Sequence, residues 1–110
     1  QYRVILSGDG TTFIVLDFPV QNKVSVLTFV YNGTTFKAYE DNVELTVSEV
    51  SGSMPSSLLT TDLNILIGKA IGSDSETSSI AYHAVAMYNI AVTASSRSRI
   101  YRYFKGRFQL

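Results

Sequence analysis

A chain of 110 residues has room for one domain and a modest core. Its formal net charge of zero gives nucleic-acid binding no global electrostatic support, and the lack of cysteine excludes a disulfide framework and thiol chemistry. Only 16% of residues are charged and Tyr outnumbers each charged type, a balance that suits half-buried sheet surfaces or a chain that sits against other chains.

Residues 2–6 (YRVIL) read as a short strand, and Ser7-Gly8-Asp9-Gly10 as a turn. Residues 12–18 (TFIVLDF) are β-formers interrupted by Asp17, and Pro19 marks a strand end. Gln21-Asn22-Lys23 make the next turn. Residues 24–31 (VSVLTFVY) alternate with apolar groups on both faces, which predicts a central strand. Asn32-Gly33 follows as a strong hairpin signal, and residues 35–40 (TFKAYE) form the return strand. Asp41-Asn42 is a second tight turn. Residues 43–50 then continue as one strand, with Val43, Leu45 and Val47 facing one way.

Residues 51–57 (SGSMPSS) form a loop, and Leu58 and Leu59 are expected to tuck under the sandwich as anchors. Residues 64–68 (NILIG) read as a compact buried strand, and 69–79 as the longest polar excursion. Residues 80–92 alternate and predict a further buried strand. Thr93 can cap a helical turn over 94–100. Ile100 with Tyr103 or Phe104 packs back from it, Gly106 breaks the chain, and 107–110 add a terminal strand. About eight short strands with hairpin turns predict an all-β antiparallel jelly-roll β-sandwich with one short helical turn near the C-terminus. An immunoglobulin-like sandwich is the rival, which leaves the helical turn unexplained. The chain is read as one domain over 1–110; because its first residue is Gln and not Met it is expected to be an excerpt or processed product of a longer chain, and no signal peptide is visible.

Several pieces, taken in order, resemble the concanavalin A-like jelly-roll superfamily, in particular its laminin-G-like and pentraxin-like modules. They are the strand and turn 26–33, the hairpin Phe36-Lys37-Ala38-Tyr39-Glu40-Asp41-Asn42, Leu66-Ile67-Gly68, the stretch 82–93 and the return 100–103. The acidic pair usual in the family's closing signature is missing, Ala84 standing there between His83 and Val85. The resemblance implies a closing strand and helix that staple the sandwich. Family modules sometimes bind calcium through loop carboxylates, which here puts Asp74 and Glu76 forward as donors. Glycan binding by such sandwiches uses an exposed aromatic ring, and Tyr31, Tyr39 and Tyr82 are the ligand-binding candidates.

Catalysis is not expected. The family's enzymes place carboxylates in a Glu-x-Asp-x-x-Glu run on one strand, and no such run occurs. His83 is the only histidine, too little for a nucleophilic triad or a zinc site. Charge is segregated: residues 40–76 hold Glu40, Asp41, Glu44, Glu49, Asp62, Asp74 and Glu76 against Lys69, whereas 97–107 hold Arg97, Arg99, Arg102, Lys105 and Arg107 with no acid. The basic run reads as a solvated edge or intersubunit contact, with a phosphate- or glycan-binding strip as the sharper alternative. The expected function is a non-catalytic structural or assembly domain of a larger complex (a virion decoration, fibre or cell-surface component), with a carbohydrate-binding lectin-like module as the alternative. The expected partners are other chains of an assembly and a surface glycan, with no nucleic acid and no membrane insertion. The expected location is extracellular or the virion surface.

Overall fold

The structure is a computed structural model that describes residues 2–21, 23–58 and 83–109. Among the described residues the strands, in chain order, are β1 (Tyr2–Ser7), β2 (Phe13–Phe18), β3 (Leu27–Tyr31), β4 (Phe36–Glu40), β5 (Val43–Glu44) and β6 (Ser48–Ser51), and a helix, α1 (Ala94–Phe108), follows. The strands form two three-stranded antiparallel sheets, ordered β1-β2-β6 and β3-β4-β5. The chain is an all-β, sandwich-like fold with a C-terminal helix.

Alternation explains the core. Ile14, Leu16 and Phe18 on β2 are buried and meet Phe36 and Ala38 on β4, while Tyr2, Val4 and Leu6 on β1 close one side. The Phe18 ring lies 5.5 Å from Phe29 and 6.4 Å from Phe36, so one aromatic on β2 bridges to both β3 and β4. Burying Phe18, Ile14 and Leu16 contributes roughly 1.5–3 kcal/mol each.

The turns divide between the two ends of the sandwich. One end carries the β1–β2 turn, the β3–β4 turn and the loop after β6; the other carries residues 19–21 and 23–26 and the β4–β5 turn. Asn32 organises the β3–β4 turn by accepting the Thr34 and Thr35 N–H groups on Oδ1 at 2.9 and 2.8 Å. In the β4–β5 turn Asp41 and Asn42 both take positive φ, 50° and 65°, the left-handed geometry of a tight hairpin.

Four expectations are corrected. Residues 43–50 are not one strand of one sheet: β5 pairs with β4, β6 pairs with β2, and residues 45–47 cross between the sheets. Leu45 and Val47 turn into the core there, while Val43 is exposed. Leu58 is exposed rather than an anchor. Residues 83–92 hold no strand, and most are exposed on both alternating faces; small Ala84 and Ala86 bring little apolar area to a ladder, and among the described strands none pairs with them.

The fourth correction concerns the helix, which is twice as long as the short turn expected and replaces the terminal strand. Thr93 does cap it, accepting the Ser96 N–H at 3.2 Å. Gly106 does not end it. Gly106 stands in the last turn, where a glycine costs at most the helix-interior value of about 1 kcal/mol, and Ile100, Phe104 and Phe108 recur at i, i+4, i+8, with the last two rings stacked at 6.2 Å. Lys105 and Arg107 suit the C-terminal dipole, and Gln109 closes the helix in the left-handed region. The strand expected over 64–68, the loop 69–79 and Leu59 lie outside the described residues.

Candidate functional site

Three consecutive residues leaving β4 organise one end of the molecule. Glu40 is buried at the end of the strand, and its carboxylate accepts the Gln21 N–H and the Ser25 hydroxyl at 3.2 and 3.1 Å. Asp41 accepts the Val26 N–H at 3.0 Å and pairs with Lys23 at 2.7 Å. Burial pushes the Asp41 carboxyl up, but the Lys23 ammonium and the Val26 N–H outweigh it and hold the carboxyl below its ordinary value. Asn42 turns the other way: its Oδ1 accepts from Arg97 Nε at 2.9 Å and its Nδ2 donates to Ser98 Oγ at 3.1 Å. Glu40 and Asp41 therefore hold Gln21, Lys23, Ser25 and Val26 in the connection from β2 to β3, and Asn42 holds the first turns of α1.

Tyr39 belongs to this group. It lies on the opposite face of β4 from Ala38, yet it is only 6% exposed. The Arg97 guanidinium covers its ring at 3.8 Å. Tyr39 thus packs beneath the helix and offers no open platform.

The opposite end carries a shallow hollow of about 290 Å³ lined by Gly8, Asp9, Thr12, Ser53, Pro55, Ser56 and Ser57. Tyr31 stands nearby, half-buried, with its hydroxyl donating to the Pro55 carbonyl. Its polar end is therefore spent on fixing the loop after β6. Asp9 faces back into its own turn, accepting the Thr11 and Thr12 N–H groups at 2.8 and 2.6 Å. The Thr12 and Thr11 amides hold its carboxyl well below the usual carboxylate range. What the hollow presents is mostly hydroxyl groups.

Two further surfaces matter. On the outer face of β1-β2-β6, Ile5 sits opposite Val15 and Ser7 opposite Phe13, with Ile5 56% and Phe13 48% exposed. Beside them Arg3 and Asp17 form a paired fork, Nε to Oδ1 at 2.7 Å and Nη2 to Oδ2 at 2.9 Å, so the face carries no net charge. On α1, Arg99, Arg102, Tyr103 and Arg107 are exposed.

Of the expected site residues, Tyr31 and Tyr39 lie at opposite ends of the sandwich, and Tyr82, Asp74 and Glu76 lie outside the described residues. No group of three or more His, Asp or Glu side chains among the described residues could hold a metal ion. His83 is exposed, its ring 6.1 Å from Phe108. Sequence reasoning missed Asn42 as an anchor and Arg97 as a ring cover. The signal was the use of Asp-Asn where Asn-Gly serves a bare turn: both side chains are recruited. No helix among the described residues is long and apolar enough to cross a membrane. No family model, no curated protein and no solved structure matches the chain.

Proposed function

We propose that this chain is a non-catalytic assembly module, a sandwich of jelly-roll type that packs against other chains of an extracellular or virion-surface complex such as a decoration or fibre. The observation that carries it is the outer face of β1-β2-β6. Ile5, Val15 and Phe13 form an apolar group there, and the Arg3–Asp17 fork pairs the two charges beside it with each other, so that neither opposes a like surface. A second copy of the same face is the neighbour it fits. The jelly-roll reading is supported by the extended run through β5 and β6, which passes from one sheet to the other. Sedimentation over a range of concentrations tests the reading. The wild-type chain should self-associate and the double variant Ile5→Lys, Phe13→Lys should stay monomeric with an unchanged circular dichroism spectrum. A wild-type chain that remains monomeric at high concentration would remove this face as an assembly contact.

A second reading, a carbohydrate-binding module, is supported by the hydroxyl-lined hollow at Asp9, Thr12, Ser53, Ser56 and Ser57. Its test is a glycan array with wild type and Ser56→Tyr, which fills the hollow. Retained binding by the filled variant would sink it.

A further inference from the structure

We propose that the solvent face of α1 binds an acidic oligosaccharide, a chain of sugars bearing sulfate or carboxylate groups. Arg99, Tyr103 and Arg107 recur at i, i+4, i+8 and so form one row along the helix, about 12 Å from first to last at the usual rise. Arg102 flanks the row one turn after Arg99. All four are exposed, Tyr103 by 63%. The opposite side of the helix is spoken for by Arg97 and Ser98, which anchor to Asn42.

Charge complementarity selects the partner. Among the described residues none of Arg99, Arg102 and Arg107 takes part in an ion pair. Arg107 does lean over Phe108, 5.8 Å from the ring centroid. A guanidinium fork matches the planar or trigonal oxygens of a carboxylate or sulfate in two-point contact. Tyr103 supplies a flat apolar face between the arginines. Its ring is set by an edge-to-face contact with Phe104 at 5.4 Å, so the platform is oriented before anything binds. Gly106, one turn further on, brings no side chain beside it and has open space around it. An alternation of cation, ring and cation fits a polymer that alternates acidic groups with the C–H faces of sugar rings. Nucleic acid fits less well, because the chain is neutral overall and a short row of charges cannot steer a long polyanion against the acids elsewhere.

This surface is separate from the hollow and from the β1-β2-β6 face. Calorimetric titration of the full chain with a heparin-derived sulfated hexasaccharide tests it, with the desulfated hexasaccharide and a single-stranded oligonucleotide of equal charge as comparisons. The sulfated sugar should bind, more weakly as salt rises, and the desulfated one should not. Arg99→Ala with Arg107→Ala should lose about tenfold or more in affinity. Tyr103→Ala should lose about fivefold and Tyr103→Phe nothing. Amide chemical shifts of the unmodified chain should move at 99–107 on adding the sulfated sugar, a readout that does not depend on any variant folding. No binding, equal affinity in the variants, tighter binding of the oligonucleotide, or shifts confined to 7–12 and 53–57 would each overturn the proposal.

Discussion

The guanidinium of Arg97 lies 3.8 Å from the ring centroid of Tyr39, with its Nε on Asn42 Oδ1 at 2.9 Å. One side chain thus covers the outer face of β4 and ties α1 to the β4–β5 turn. Arg97→Ala should remove both contacts and destabilise the fold by about 1–3 kcal/mol. Arg97→Lys should restore less than half of that, because an ammonium can neither cover the ring as a plane nor donate from Nε. Urea melts followed by tyrosine fluorescence and by helical circular dichroism measure this. An Arg97→Lys variant as stable as wild type would show that charge alone, without the planar fork, is enough.

Asn42 separates turn chemistry from anchoring. Its φ of 65° is one that glycine adopts without strain, so Asn42→Gly leaves the hairpin geometry satisfied. The substitution deletes only the bonds to Arg97 and Ser98. Helix amides near 96–101 should then exchange faster while β3 and β4 amides keep their protection. Uniform loss of protection across both sheets would mean that Asn42 serves the turn instead.

The strands around Phe18, Phe29 and Phe36 could be read from the sequence because alternation, flanking turn residues and β-formers agree there, but β3 begins at Leu27 and lies at the edge of its sheet, with β4 in the centre where 24–31 is expected. Residues 43–50 misled for a physical reason: a strand that changes sheets keeps its β pattern while its partner changes, and pattern carries no information on partners. By propensity Gly106 and three serines predict only a short helical turn, whereas the stripe of Ile100, Phe104 and Phe108 outweighs them. Tyr39 had the look of a surface ring since nothing in β4 itself says that Arg97, far along the chain, will lie on it. The anchor at Asn42 is likewise a long-range contact, invisible to local spacing.

Two glycines should respond in opposite directions to alanine. Gly52 follows β6 with φ of 88°, and a Cβ there would stand 2.0 Å from the Phe13 carbonyl oxygen. Gly52→Ala should cost more than about 2 kcal/mol, since both the backbone angle and the β2–β6 contact resist it. A Cβ at Gly106 meets nothing within 4 Å, so Gly106→Ala should stabilise the chain by about 0.5–1 kcal/mol through helix propensity. Denaturant midpoints at matched slope decide both. A destabilising Gly106→Ala would place a neighbour against that face of α1.

Among the described residues, the carboxyls of Asp9, Asp17 and Asp41 should make the chain unfold in acid. The Thr12 and Thr11 amides lower the Asp9 carboxyl and the Arg3 fork lowers that of Asp17; at Asp41, Lys23 and the Val26 N–H overcome the upward push of burial. Each therefore binds its proton more weakly folded than unfolded. Their stabilisation is fully present above the ordinary value of 3.8 and is lost as pH falls through the lower folded values. The paired Lys23 and Arg3 are raised, so they add no slope near neutrality and lose their share only in strong base. The melting temperature should be level around neutral pH and fall below about pH 4. Asp9→Asn keeps an oxygen acceptor for the turn amides but cannot titrate, so its stability should fall less steeply in acid. The gap between it and wild type should narrow as pH approaches about 2. Parallel curves across that range would mean that Asp9 is not held as an anion by its own turn.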